Sequence, residues 1–138
     1  MRAVRFVKVE GAGNDYVLVE EFDRPVEDPY GLSRAVSDRH AGVGSDGLLL
    51  VGPARAPAVA RMRIFNADGT EPEISGNGLR CASAYLYHQK KIESPQILFS
   101  TSVGERANST LINDRSIGEH PGWRGRFLTP SSSDRHKK

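Results

Sequence analysis

Ala3 to Val9 is rich in β-branched and aromatic residues with Arg5 and Lys8 interposed, the composition of a strand, and Tyr16 to Glu20 reads as a second. Leu48 to Val51 is a continuous apolar run of strand length. Ala60 to Asn66 alternates Met62 and Ile64 against Arg61 and Arg63, a strand with one wet face. An Asp-Gly turn over residues 66 to 70 then predicts a hairpin, with Glu71 to Ile74 as a short return strand, and Gln96 to Thr101 is the last convincing strand. Helical spacing appears twice. Leu32, Ala35 and Val36 fall on one face of Gly31 to Asp38, and Asn77 to Lys91 runs without Gly or Pro beyond Gly78, closing on two lysines as a helix C-terminus does. From Leu79 to Leu86 only Arg80 and Ser83 are strongly polar, so small and apolar side chains face most directions. A helix of that kind is enclosed by other elements and does not lie on a surface along one stripe.

The segments between these elements hold the candidate chemistry. Ser75, Gly76, Asn77 and Gly78 open the long helix with little side-chain cover over the N–H groups of its first turn, which suits an anion; Ser75 or Asn77 as a simple N-cap is the alternative the residues leave open. Residues 11 to 16, G-A-G-N-D-Y, make a tight connection between the first two strands with Asn14 and Asp15 at its tip, which a plain hairpin turn also explains. Gly42, Gly44 and Gly47 match G-x-G-x-x-G, but a helix precedes them and a strand follows, the reverse of a dinucleotide loop, so nucleotide binding is rejected. His40 has no second ligand at metal spacing and reads as a structural hydrogen-bonding group.

Composition narrows the classes further. The 138 residues, 38% hydrophobic, allow one domain with a real core or a large piece of a bigger one. Residues 1 to 104 hold 12 basic against 13 acidic side chains and the remaining 34 hold 7 against 4, so the net charge of +2 comes from the tail and argues against a nucleic-acid partner. A single cysteine, Cys81, excludes an intramolecular disulfide and a cysteine-based zinc cluster. Neither a signal peptide nor a membrane span is read, and a reducing cytoplasm is the expected compartment.

Four motifs taken together carry a resemblance. G-A-G-N-D-Y at 11 to 16, D-R-H-A-G-V-G-S-D-G at 38 to 47, R-I-F-N-A-D-G-T-E at 63 to 71 and S-G-N-G-L-R-C at 75 to 81 resemble, in order and spacing, the N-terminal half of diaminopimelate epimerase. The resemblance implies an α+β fold of two similar halves, each a curved mixed sheet wrapped around a central helix, with an amino-acid substrate in the cleft between them. It implies chemistry without a cofactor or metal, in which a cysteine at the head of each central helix faces one side of the substrate α-carbon. On that basis Asn14, Asn66, Gly76 and Asn77 match substrate-binding positions, and Ser75 stands at the position of the first catalytic cysteine. A serine hydroxyl is a far weaker acid than a thiol, whose reference pKa is roughly 8.5. Cys81 is no substitute, because four residues beyond Asn77 places it roughly 6 Å farther along the helix axis, where a buried inert thiol is the expected role.

The expected division is a family-like N-terminal domain over 1–104 and a divergent tail over 105–138. Leu111, Ile112, Trp123, Phe127 and Leu128 are too scattered to specify an element there, and the tail is expected to be poorly ordered. A shortened or frame-shifted product would explain it. The implied function is conversion of LL- to meso-diaminopimelate on the route to lysine and peptidoglycan. The alternatives are a non-catalytic half that binds an amino acid or a partner chain, or a related isomerase of the same fold. An exposed cleft face would also favour self-association.

Overall fold

The computed structural model describes residues 2–11, 13–73, 76–89, 96–109 and 117–129. Its strands are β1 (Arg2–Gly11), β2 (Asn14–Glu20), β3 (Gly47–Gly52), β4 (Ala60–Asn66), β5 (Gln96–Thr101), β6 (Gly104–Ser109) and β7 (Ile117–Thr129), and its helices are α1 (Pro29–Ser37) and α2 (Gly76–His88). The strands form one mixed sheet in the order β6-β5-β4-β3-β2-β1-β7. Two neighbouring pairs are parallel, β2 with β3 and β4 with β5, and each is joined by a helix, α1 for the first and α2 for the second. Parallel neighbours need such a crossover, whereas the antiparallel β1–β2 pair needs only the tight turn that the glycines of residues 11 to 16 supply.

The two helices lie on opposite faces of the sheet. Leu48 and Leu50 pack with Val17, Val19, Phe65 and the α1 residues Leu32 and Val36, while Leu49 and Val51 pack with Met62, Phe99 and the α2 residues Leu79, Ala82 and Leu86. This is why β3 is a continuous apolar run: it is buried on both faces. Alternation in β4 is of the expected kind, with Met62 and Ile64 inside. Its arginines are paired, Arg61 with Glu21 at 3.0 Å and Arg63 with both oxygens of Glu71 at 2.8 and 3.0 Å.

Helix α2 packs against β7, β1, β2, β3, β4 and β6, which include both edge strands. Laid flat, seven strands would span roughly 29 Å at about 4.8 Å per step, nearly three times the roughly 10 Å width of a helix. One helix reaches both edges only if the sheet curls around it, so the enclosed central helix and the α+β class expected from the sequence are what the chain adopts. Small residues make the enclosure possible. Gly78, Cys81, Ala82, Ser83 and Ala84 are all buried, and Ser83 satisfies its hydroxyl by donating to the Leu79 carbonyl at 2.8 Å.

Three expectations are corrected. Helix α1 starts at Pro29, two residues before the Gly31 start expected from helical spacing, because Asp28 caps it by accepting from the Gly31 amide and a proline suits the first helical position. Glu71 to Glu73 form no strand; the Asn66–Thr70 turn closes as expected, with Gly69 at φ +91, and Glu71 returns beside β4 only through its side-chain pair with Arg63. Part of the tail does form elements. β6 crosses the expected boundary at 104, and β7 pairs antiparallel with β1 from Arg2 to Gly11, setting Gly125 opposite Phe6, where a Cβ would meet the ring at 3.0 Å. The ladder shifts register between Val7 and Val9, opposite residues 120 to 123, a stretch holding Pro121, which cannot donate. β7 owes its conformation to the open edge of β1, a partner that no local period in the tail could reveal.

Phe99 is fully buried beneath α2 and Val59 is about half exposed. Phe99→Ala is expected to cost about 3–5 kcal/mol and Val59→Ala less than about 0.5, measured as shifts in urea midpoint at unchanged slope.

Candidate active site at the head of the central helix

Asn14 and Asn77, far apart in sequence, are brought together: the Asn77 Nδ2 donates to Asn14 Oδ1 at 2.8 Å. Asn14 is the first residue of β2 and Asn77 lies in the first turn of α2, so this bond ties the β1–β2 hairpin to the head of the enclosed helix. Gly76, the first helical residue, is exposed, with nothing within 4 Å of where a Cβ would stand. The first turn of α2 carries no acidic side chain, so nothing of its own offsets the positive pole of the helix there. Asn66 closes β4 at the same end of the sheet, in register with Gly47 and through it with Tyr16. Its side chain is turned to Thr70 Oγ1 at 3.1 Å, while its carbonyl accepts from Ser33. Ser75 lies outside the described residues. Of the residues singled out from sequence, Asn14, Gly76 and Asn77 therefore form one cluster, and Asn66 stands at the same sheet end without touching it through a recorded bond.

A polar cluster that the sequence reading did not assemble supports the hairpin tip. Asp15 pairs with Lys8 at 2.8 Å and with Arg39 at 2.9 Å, and Lys8, only 8% exposed at its side chain, also donates to the Gly44 carbonyl at 2.6 Å. Asp46 and Asp15 are linked reciprocally: the Asp46 amide donates to the Asp15 carbonyl at 2.8 Å, and the Asp15 amide donates to Asp46 Oδ2 at 2.9 Å. Burial alone would raise the Asp15 carboxyl, but hydrogen bonds from Arg39 and Lys8 outweigh it and hold that group well below the ordinary carboxylate range. A signal for this cluster was in view, since Lys8 is a lone cation between Val7 and Val9, both buried, and Asp15, Arg39 and Asp46 all fall within two of the four motifs.

The glycines of the 38–47 loop have structural work. Gly44 and Ser45 donate their amides to the Val36 and Ser37 carbonyls at the end of α1, and Gly44 has φ +86. A Cβ on Gly42 would stand 2.1 Å from the Ala35 carbonyl oxygen, and one on Gly47 2.2 Å from that of Phe65. These amides cap a helix C-terminus, which accounts for the glycine spacing without a phosphate. His40 is exposed; its amide and that of Ala41 donate to Asp38, and they hold the Asp38 carboxyl below its usual value. Cys81 is buried in the core under the sheet, where desolvation, and then the charge of Glu10, push its thiol up to about 12. Among the described residues no group of His, Cys, Asp and Glu could hold a metal ion, and no helix is long and apolar enough to cross a membrane.

A curled mixed sheet around one helix is a fold shared with solved structures. Residues 6–119 match the family model for diaminopimelate epimerase. A diaminopimelate epimerase of Agathobacter rectalis is 41% identical over 116 residues, covering 84% of this chain and 40% of that protein, and one of Desulfovibrio desulfuricans is 52% identical over 85 residues, covering 62% and 29%. Among solved structures, a Bacillus anthracis phenazine biosynthesis protein of the PhzF family superposes with a TM-score of 0.66 at 18% identity, covering 84% of this chain and 38% of its own. A hydroxyproline epimerase of Agrobacterium vitis does so at 0.59 and 17%, covering 80% and 39%. The chain belongs to the diaminopimelate epimerase family, and it spans about 40% of the length of the Agathobacter relative.

Two outcomes test this account. Asp15 has a folded pKa below its unfolded value, so its contribution is complete above about pH 5, begins to fall as pH drops past the unfolded value near 4, and is gone only once pH has fallen through the depressed folded value. Asp15→Asn is expected to melt lower than the wild type at pH 7 and to lose less on acidification, by thermal melts at stepped pH. Cys81 should resist a thiol reagent such as DTNB at pH 8 in the folded chain and react fully in denaturant; fast reaction without denaturant would contradict its burial.

Proposed function

We propose that this chain forms the amino-acid-binding half of a diaminopimelate epimerase site, in which the head of α2 holds the substrate α-carboxylate and Asn14, Asn66 and Asn77 meet its polar groups. The observation that carries this reading is the Asn77–Asn14 hydrogen bond, because it joins two of the four family motifs at a helix head whose first residue leaves open space beside the backbone. A helix N-terminus without acidic side chains in its first turn favours a carboxylate by its dipole. Relatives 40 to 52% identical bear the diaminopimelate epimerase name, whereas the fold neighbours with other substrates in their titles are 10 to 17% identical, which favours diaminopimelate over another substrate.

Epimerisation of this kind removes a proton from one face of the α-carbon and returns one to the other, so two positioned acid–base groups are required. On the family pattern the residue directly before Gly76 supplies one, and here it is Ser75. A neutral hydroxyl can return a proton but is a poor base near neutrality. The second group would come from the part of the family's length that these 138 residues do not span. Cofactor-free chemistry in the cytoplasm, and association of the cleft face with a second half or a second copy, complete the reading. The serine favours a second reading, a half that holds an amino acid without moving its proton.

NMR of the substrate α-proton in deuterated water separates the two. The 138-residue chain alone is expected to show no exchange at an enzymatic rate, and Ser75→Cys alone none either. With a family C-terminal half supplied in trans, turnover is expected, and at least tenfold more with Ser75→Cys than with Ser75. Equal and absent turnover in both trans mixtures, with diaminopimelate still bound, would favour the binding half. Exchange by the chain alone would overturn the assignment of roles.

A further inference from the structure

The two ends of an asparagine amide are nearly alike in shape, and which end is oxygen is decided by what each faces. In this site the decision starts at a carboxylate. Asp46 Oδ2 accepts the Asp15 backbone N–H at 2.9 Å and lies 3.4 Å from Asn14 Nδ2. An oxygen that accepts a backbone N–H acts as an acceptor, so the end of Asn14 that faces it is the NH2. The carbonyl end of Asn14 is then turned toward α2, where it can only accept, and it takes the Asn77 NH2 at 2.8 Å. The oxygen of Asn77 is thereby left for a donor other than Asn14.

We propose that Asp46 is a positioning residue for the head of α2: its carboxylate polarises the Asn14–Asn77 amide pair, so that Asn77 offers a ligand a hydrogen-bond acceptor. The carboxylate is well placed to impose this. Its backbone N–H donates to both the carbonyl and the Oδ1 of Asp15, at 2.8 and 3.2 Å, its own Oδ1 lies 3.4 Å from Arg39, and Asp15 is anchored by the buried Lys8. Asp46 thus sits on a fixed mount while its second oxygen faces the amides, and the reversed order, oxygen of Asn14 against a carboxylate, would be repulsive. The ligand half of the proposal rests on the reading of this site as one for an amino acid, whose ammonium group is such a donor. The polarity of the pair does not, and it is measured without ligand.

The test uses the 15N-labelled 138-residue chain with the side-chain amides of Asn14 and Asn77 assigned. In the wild type an NOE is expected between the Asn14 NH2 and the Asp15 backbone amide, since both donate to one oxygen. Its absence, with the Asn77 NH2 free of any contact to Asn14, would overturn the proposal whatever the variants do. Asp46→Ala is expected to shift the Asn77 NH2 signals and speed their hydrogen exchange at least threefold. Asp46→Asn, whose carbonyl oxygen can still accept from Asp15, should keep them near wild type. Val36→Ala, in the core on the α1 face, should lower the melting temperature without moving them. Unmoved Asn77 signals in Asp46→Ala, or equal movement in Val36→Ala, would overturn the polarisation and leave only a structural role. On adding meso-diaminopimelate, the Asn77 signals should respond in the wild type and at least threefold more weakly in Asp46→Ala. A wild type with the amide pair intact but no response overturns the functional reading and the ligand half with it, not the polarity.

Discussion

Contact between one helix and both edges of one sheet is the constraint from which the rest of this structure follows. It forces the sheet to curl, and it restricts the helix to a sequence thin enough to be surrounded. Gly78, Cys81, Ala82, Ser83 and Ala84 meet that requirement, and Leu79 and Leu86 fill the space that remains. The helix must also carry its own polar atoms, as Ser83 does by bonding back to Leu79. Because α2 joins the parallel strands β4 and β5, its head is delivered to the sheet end where β4 finishes, and β2 and the loop after α1 meet there as well. The candidate site is a consequence of that geometry before it is a consequence of any one side chain.

Charge at the same sheet end is held in a second, separate way. Lys8 is taken out of water inside β1, a costly placement, and two acceptors offset it, the Asp15 carboxylate and the Gly44 carbonyl. Those contacts tie the strand, the hairpin tip and the loop after α1 to one another. Losing either contact would leave a buried charge less well compensated, so the cluster acts against any slip of β2 relative to β1 or of the loop relative to both. Asp15 and Asp46 are tied by reciprocal hydrogen bonds, the amide of each donating to the side chain of the other, and the ordering of Asn14 and Asn77 proceeds from there.

How much of this could be read from residue order differs from element to element. β4 and β5 fall on their expected residues, β3 within one, and α2 began where a Gly-Asn-Gly opening placed it, because alternation, a continuous apolar run and a helix start are local signals. α1 begins two residues before the Gly31 start that its apolar spacing indicates, because the Asp28 cap and Pro29 open the helix ahead of Leu32, the first residue of that spacing. The strand expected at Glu71 to Ile74 is absent over its described residues, where Glu71 meets β4 through its side-chain pair with Arg63 and not through a backbone ladder. β7 was missed altogether: its thirteen residues have no period of their own and are strand because β1 has a free edge.

For the site, the four motifs were enough to nominate Asn14, Asn66, Gly76 and Asn77 and to place the chain in its family, because motif spacing is a property of the sequence alone. They could not show that Asn14 and Asn77 touch while Asn66 turns to Thr70, nor that Lys8, Asp15, Arg39 and Asp46 form one cluster. Sequence order determined which residues are polar, small or glycine, and hence the local conformations each segment favours. Only the tertiary structure decided which of those polar groups face one another. A hydrogen bond or an ion pair depends on a few ångströms of separation between strands, and that separation is set by burying both faces of β3 and enclosing α2.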